Sequence, residues 1–150
     1  MSTERMENHV IIAGYGIGGR FIAEYLQGKG IAFVIVETNS ETCDTQRVLG
    51  VPVIHGSIAD EGVLRRAGIE TASVLALSIP DEQAALLATE TANAIRPEIH
   101  IIAATQHTST GMKALQNGAD EVIVAEQAVA HEFYRRIDDY LSATTPASEG

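Results

Sequence analysis

Short apolar runs alternate with stretches of helical periodicity along almost the whole chain, and this alternation predicts strands separated by helices. The apolar runs are His9–Ala13, Ala32–Val36, Pro52–His55, Ser73–Leu77, Ile99–Ala103 and Glu121–Val124. Between them, helical patterns run from about Ile17 to Gln27, Glu41 to Leu49, Asp81 to Ile95, Ser109 to Asn117 and Glu126 to Tyr140. A further short helix starts at Asp60, a residue type suited to capping an N-terminus, and closes at Gly68. Several of the strands are apolar on both faces, as expected when helices cover both sides of a parallel sheet. The pattern therefore predicts a Rossmann-type, doubly wound α/β fold with six parallel strands. The right-handed crossover rule leaves 3-2-1-4-5-6 as the simplest strand order. One domain is expected over residues 9–140, with a polar extension at 1–8 and a disordered tail at 141–150.

Composition sharpens this picture. With 45% apolar but only 5% aromatic residues, the core must be built from Ile, Val, Leu and Ala. A formal net charge of -10 disfavours nucleic acid as a partner, because phosphate backbones require Lys and Arg. The same charge disfavours direct binding to anionic lipid. Cys43 is the single cysteine, so no disulfide framework is possible; a structural thiol in a reducing compartment is expected. No run approaches the 18 or so apolar residues of a membrane span, so a cytoplasmic location is expected, either free or as the soluble part of a membrane protein.

Candidate chemistry centres on Gly14-Tyr15-Gly16-Ile17-Gly18-Gly19, a G-x-G-x-x-G sequence that follows the first strand and opens the first helix. In that setting Gly14 permits a tight turn, Gly16 lets a phosphate approach the backbone, and Gly19 lets helix and strand pack closely. The helix amides beyond it form an anion site. Glu37, 18 positions after Gly19, stands where a carboxylate accepts hydrogen bonds from both ribose hydroxyls and repels a 2′-phosphate. This favours NAD or an adenosine nucleotide over NADP. Ligands of open α/β sheets sit beyond the carboxyl ends of the strands, which adds Thr38, Gly56, Ser57, Ile58, Ser78, Ile79 and Thr105 as candidate contacts.

Catalysis has little to stand on. After six strands and their helices are counted, almost nothing remains for a substrate domain, and no Tyr-x-x-x-Lys or His-Asp pairing marks a strand end. His55, His100, His107 and His131 are dispersed and lack the spacing of a metal site. Two alternatives to nucleotide sensing stay open: an NAD-dependent oxidoreductase fragment without its substrate domain, and a dimerisation module with a vestigial pocket.

Beyond the fingerprint, the order of segments resembles the RCK (TrkA-N) domains that regulate potassium channels and transporters. The resemblance is carried by His9 to Gly19, Glu37, Val53 to Asp60, Ala67 to Glu70, Val74 to Ser78, Ile99 to Ala104 and Asn117 to Ile123. It covers roughly residues 9–135 and is most like the cytosolic domains of Kef-type cation:proton antiporters. What it implies is a homodimeric sensor of NAD(H), AMP, ADP or ATP at the inner face of the membrane. The ligand state of such a sensor gates a membrane-embedded cation transporter. In such dimers the last helix often crosses to the other subunit, and Val129, Phe133 and Ile137 supply an apolar stripe for that contact or for packing on their own sheet. Three positions depart from the family pattern. Ile17 and Ala104 stand where relatives often carry Arg, and Ser57 stands where Asp is frequent. Without two guanidinium groups a polyphosphate loses its strongest partners, so AMP is the expected ligand.

Overall fold

A computed structural model describes residues 6–145. It contains β1 (Val10–Ala13), α1 (Ile17–Gly28), β2 (Phe33–Glu37), α2 (Ser40–Val48), β3 (Val53–His55) and α3 (Glu61–Arg66). Then follow β4 (Val74–Leu77), α4 (Glu82–Ile95), β5 (His100–Thr105), α5 (Thr108–Gln116), β6 (Glu121–Val124) and α6 (Ala125–Thr144). All strand pairs are parallel, and the sheet order is β3-β2-β1-β4-β5-β6, as the sequence predicts.

Side chains of successive strand residues point to opposite faces, and here both faces are apolar. On one face Ile11, Ala13, Leu75, Leu77, Ile101 and Ala103 meet α3, α4 and α5 through Leu64, Ala88, Ala92 and Ala114. The small alanines let these helices lie close to the sheet. On the other face Ile12 and Ile35 pack under α1 and α2, against Ala23, Leu26 and Cys43. The Cys43 thiol is buried, which raises its pKa, and it donates to the Glu37 carbonyl at 3.4 Å.

Helix starts are set by short polar side chains. Asn39 accepts from Thr42 N, Asp60 from Gly62 N and Asp81 from Ala84 N, satisfying amides that the helix itself leaves free. The last helix ends later than its pattern suggests. The Thr144 and Thr145 hydroxyls donate to the Tyr140 and Leu141 carbonyls, so α6 runs to Thr144 instead of Tyr140. The polar extension expected at 1–8 and the tail expected at 141–150 fall partly outside the described residues. Within them, Met6 packs against the core and its carbonyl accepts from the Thr71 hydroxyl.

One part of the sheet is only partly covered by the helices of the described residues. Ala76, Ile102 and Ala104 are only half-buried, and Ile123 is 49% exposed. No residue of α6 is buried, and its stripe residues Val129, Phe133 and Ile137 are more than half exposed. Of the two uses the sequence leaves open for that stripe, packing on the chain's own sheet is not the one seen.

Candidate nucleotide site

Strand order places β2 on one side of β1 and β4 on the other, so the chain reverses direction across the sheet between β1 and β4. The turns leaving these neighbouring strands diverge and open a crevice. A cleft of about 360 Å³ lies there, lined by Gly14, Gly16, Val36, Glu37, Thr38, Gly56, Ser57, Ile58, Ser78, Ile79, Pro80, Asp81 and Ala84.

The glycines of the β1–α1 turn do three different jobs. Gly14 has φ +88, a conformation side chains rarely adopt. A Cβ there would also lie 2.8 Å from Ile79 Cγ2 and 2.9 Å from the Ser78 carbonyl. At Gly19 a Cβ would fall 1.8 Å from the Gly14 carbonyl oxygen, so α1 can approach β1 only with glycine in place. Gly16 is the opposite case: its φ of -64 suits any residue, and among the described residues nothing beyond its chain neighbours lies within 4 Å of a Cβ added there. The space over Gly16 belongs to the cleft.

Gly16 is also the N-cap of α1. No side chain caps this helix and no acid occupies its first turn, so the amides that begin it keep both their hydrogen-bonding capacity and the positive end of the helix dipole. An anionic ligand fits these donors. Beside the same turn, Glu37 is held in place by two backbone amides. Its Oε1 accepts from Tyr15 N at 2.8 Å and its Oε2 from Asn39 N at 2.8 Å. A carboxylate offers about four lone-pair directions; Oε2 also accepts from the Thr38 hydroxyl at 3.4 Å, so Oε1 keeps one direction free and Oε2 gains one when that hydroxyl turns aside. Glu37 therefore fits a ribose diol, and the uncapped α1 amides fit a phosphate.

The remaining walls come from β3, β4 and α4. Gly56 is tied to β2 through its amide and the Glu37 carbonyl at 2.9 Å. The Ser57 hydroxyl accepts from Ala59 N and shapes its own turn. Ile58 belongs to the core yet presents part of its surface to the cleft. Ser78 Oγ sits against the first turn of α1, 2.7 Å from where a Gly18 Cβ would be.

Nine of the residues expected from the sequence thus line one cleft: Gly14, Gly16, Glu37, Thr38, Gly56, Ser57, Ile58, Ser78 and Ile79. Ile17, Gly18 and Gly19 form the first turn of α1 behind it. Tyr15 contributes its amide to Glu37, while its ring packs partly against the α1–α2 core. Thr105 lies outside the cleft. It is buried at the end of β5, where its hydroxyl donates to the His107 carbonyl at 3.2 Å. Sequence reasoning missed Val36, Pro80, Asp81 and Ala84. Asp81 was legible only as the opening of a helix; its position just after β4, a strand bordering the reversal, was the available signal.

Comparison with known proteins gives a consistent result. The TrkA-N domain model matches residues 10–125. The putative cation/proton antiporter YbaL of Escherichia coli is 30% identical over 142 residues, covering 95% of this chain and 25% of its own length. The chain thus spans about a quarter of that relative. Among solved structures, the TrkA-N domain of the inner membrane protein YbaL from Escherichia coli superposes with a TM-score of 0.85 at 30% identity. The match covers 87% of this chain and 97% of that one. The Kef CTD of Shewanella denitrificans, solved in an AMP-bound form, has a TM-score of 0.72 at 24% identity, with 94% and 84% covered.

Proposed function

The chain belongs to the TrkA-N domain family, and from that premise we propose that it is a nucleotide-sensing regulatory domain of a membrane cation transport protein. Its cleft takes an adenine nucleotide, and the bound state gates a potassium transporter or cation:proton antiporter on the cytoplasmic side. The observation that carries this reading is that the uncapped α1 N-terminus and Glu37 line one cleft, with Glu37 tied to the glycine turn through Tyr15 N. One end of the cleft fits a phosphate and the other fits a ribose diol. Val36, Ile58 and Ala84 offer apolar surface for a base.

AMP is the proposed ligand, ahead of NAD(H), ADP and ATP. None of the described residues lining the cleft is Lys or Arg, and Ile17 and Ala104 supply no cation. Similar folds were solved with AMP, NAD and ADP, in keeping with an adenine nucleotide, and the choice of AMP rests on the cation-free lining. A sensor needs only binding energy that differs between two conformations, and every feature of the cleft serves binding.

The test is thermal unfolding with AMP, ADP, ATP, NAD and NADH in turn. AMP at roughly a hundredfold over its Kd should add about 2.7 kcal/mol, or a rise in Tm of about 5–10 °C for a domain of this size. The absence of a rise with all five would overturn the reading.

We also propose that the domain works as a homodimer in which α6 covers the partner. The exposed stripe of Val129, Phe133 and Ile137 and the half-covered β4–β6 face are the two surfaces that support this. Phe133→Glu is expected to yield a monomer in sedimentation while the wild type sediments as a dimer. A monomeric wild type would contradict the proposal.

A further inference from the structure

The order of strands fixes a direction along the cleft. Ser57 and Ile58 follow β3, Glu37 ends β2, and Gly16 with the first turn of α1 follows β1. A nucleotide whose ribose rests on Glu37 and whose first phosphate rests on α1 points any further phosphate toward the next strand in the sheet, β4. The wall there is the β4–α4 turn, with Ile79, Pro80 and Asp81.

Two helix N-termini therefore border the phosphate end, and they differ in charge. That of α1 has neither a side-chain cap nor an acid in its first turn. That of α4 is capped by Asp81, whose Oδ1 accepts from Ala84 N at 3.1 Å, and carries Glu82 in its first turn. The Glu82 carboxylate in turn accepts from Gln106 N at 3.3 Å. The first helix start is open to an anion; the second already holds the Asp81 carboxylate where an anion would sit.

We propose that Asp81 is a specificity-determining residue that limits the ligand to a single phosphate. This inference rests on the nucleotide reading above and deepens it. Each phosphate beyond the first brings further negative charge toward Asp81, with no lining Lys or Arg to compensate. A nucleoside monophosphate keeps its charge on the α1 amides and leaves this wall untouched.

The test compares AMP, ADP and ATP by calorimetry without divalent cations, using wild type and Asp81→Asn. Asparagine caps a helix about as well as aspartate, so the substitution removes charge while keeping the start of α4. Asp81→Ser, another good cap, serves as the second variant. The wild type is expected to bind AMP more tightly than ADP. In both variants the ratio of the ADP Kd to the AMP Kd should fall about fivefold, the size of a partly screened charge pair, whatever change the two ligands share. In wild type the same ratio should shrink as salt is raised. AMP binding intact with an unchanged ratio in both variants overturns the role of Asp81, as does a wild type that prefers ADP or ATP. A wild type that binds none of the three overturns the nucleotide reading itself.

Discussion

Gly19→Ala is expected to destabilise the domain by at least about 3 kcal/mol, the upper range for overpacking a well-packed contact. Gly16→Ala, three positions earlier, is expected to leave stability within about 1 kcal/mol of wild type while abolishing AMP binding. The contrast follows from what surrounds each Cα. A methyl group at Gly19 would overlap the Gly14 carbonyl, with 1.8 Å between Cβ and oxygen, and backbone on both sides cannot yield as a flexible side chain would. To make room, α1 must move off β1, and Ile12 and Ala23 lose their packing beneath it. For a domain of this size the loss corresponds to a drop in Tm of about 6–12 °C. At Gly16 the backbone already suits alanine and the added methyl meets no atom of the described residues beyond its chain neighbours, so the main structural cost is a poorer N-cap. The methyl instead occupies the path by which a phosphate reaches the α1 amides. Melting curves with and without AMP check both halves. A stable Gly19→Ala domain would mean that the close approach of α1 is not required. An AMP-responsive Gly16→Ala domain would mean that no phosphate passes over that residue.

Glu37→Gln is expected to weaken AMP binding by at least about 30-fold while the domain stays folded. Hydrogen bonds to a charged acceptor contribute about 1.5–3 kcal/mol each, and the neutral amide keeps one acceptor oxygen and loses the charge. Glu37→Ala should abolish the response altogether, and it carries a structural cost as well. Tyr15 N and Asn39 N both donate to this carboxylate, and removing it strips the glycine turn and the start of α2 of a shared anchor. About 1–3 kcal/mol of stability should go with it, the penalty of leaving a partly buried amide without a partner. Calorimetry on both variants separates the effects, since Gln perturbs the ligand more than the fold. Equal affinity in wild type and Glu37→Gln would remove the ribose from this residue.

Much of this was legible in the sequence, for identifiable reasons. Parallel strands buried on both faces produce apolar runs such as Val10–Ala13 and Phe33–Val36, and short polar caps such as Asp60 and Asp81 mark where helices begin. Crossover handedness then leaves few strand orders, and the observed one is the simplest. Glu37 and the three glycines could be placed because each satisfies a local requirement of the β1–α1–β2 unit. Thr105 could not be judged in the same way. The strand runs to Thr105, two residues beyond the expected end at Ala103, which buries the hydroxyl beside α5. β5 is also separated from the reversal by β4. Asp81 was hidden for the complementary reason: its role as a cap accounts for its identity without reference to the cleft. The Val129, Phe133 and Ile137 stripe shows that periodicity reveals an apolar face but not the surface that covers it.

An amide NMR titration of the wild-type domain with AMP decides whether the nucleotide lies between Glu37 and the start of α1. Tyr15 N–H reports on the Glu37 carboxylate through its 2.8 Å hydrogen bond, and the amides of Gly18 and Gly19 report on the start of α1. Saturable shifts concentrated at these three amides and around Ser57 and Ile58 are the predicted result. Saturable shifts elsewhere on the domain, with these amides unmoved, or no shifts at millimolar AMP, would contradict it.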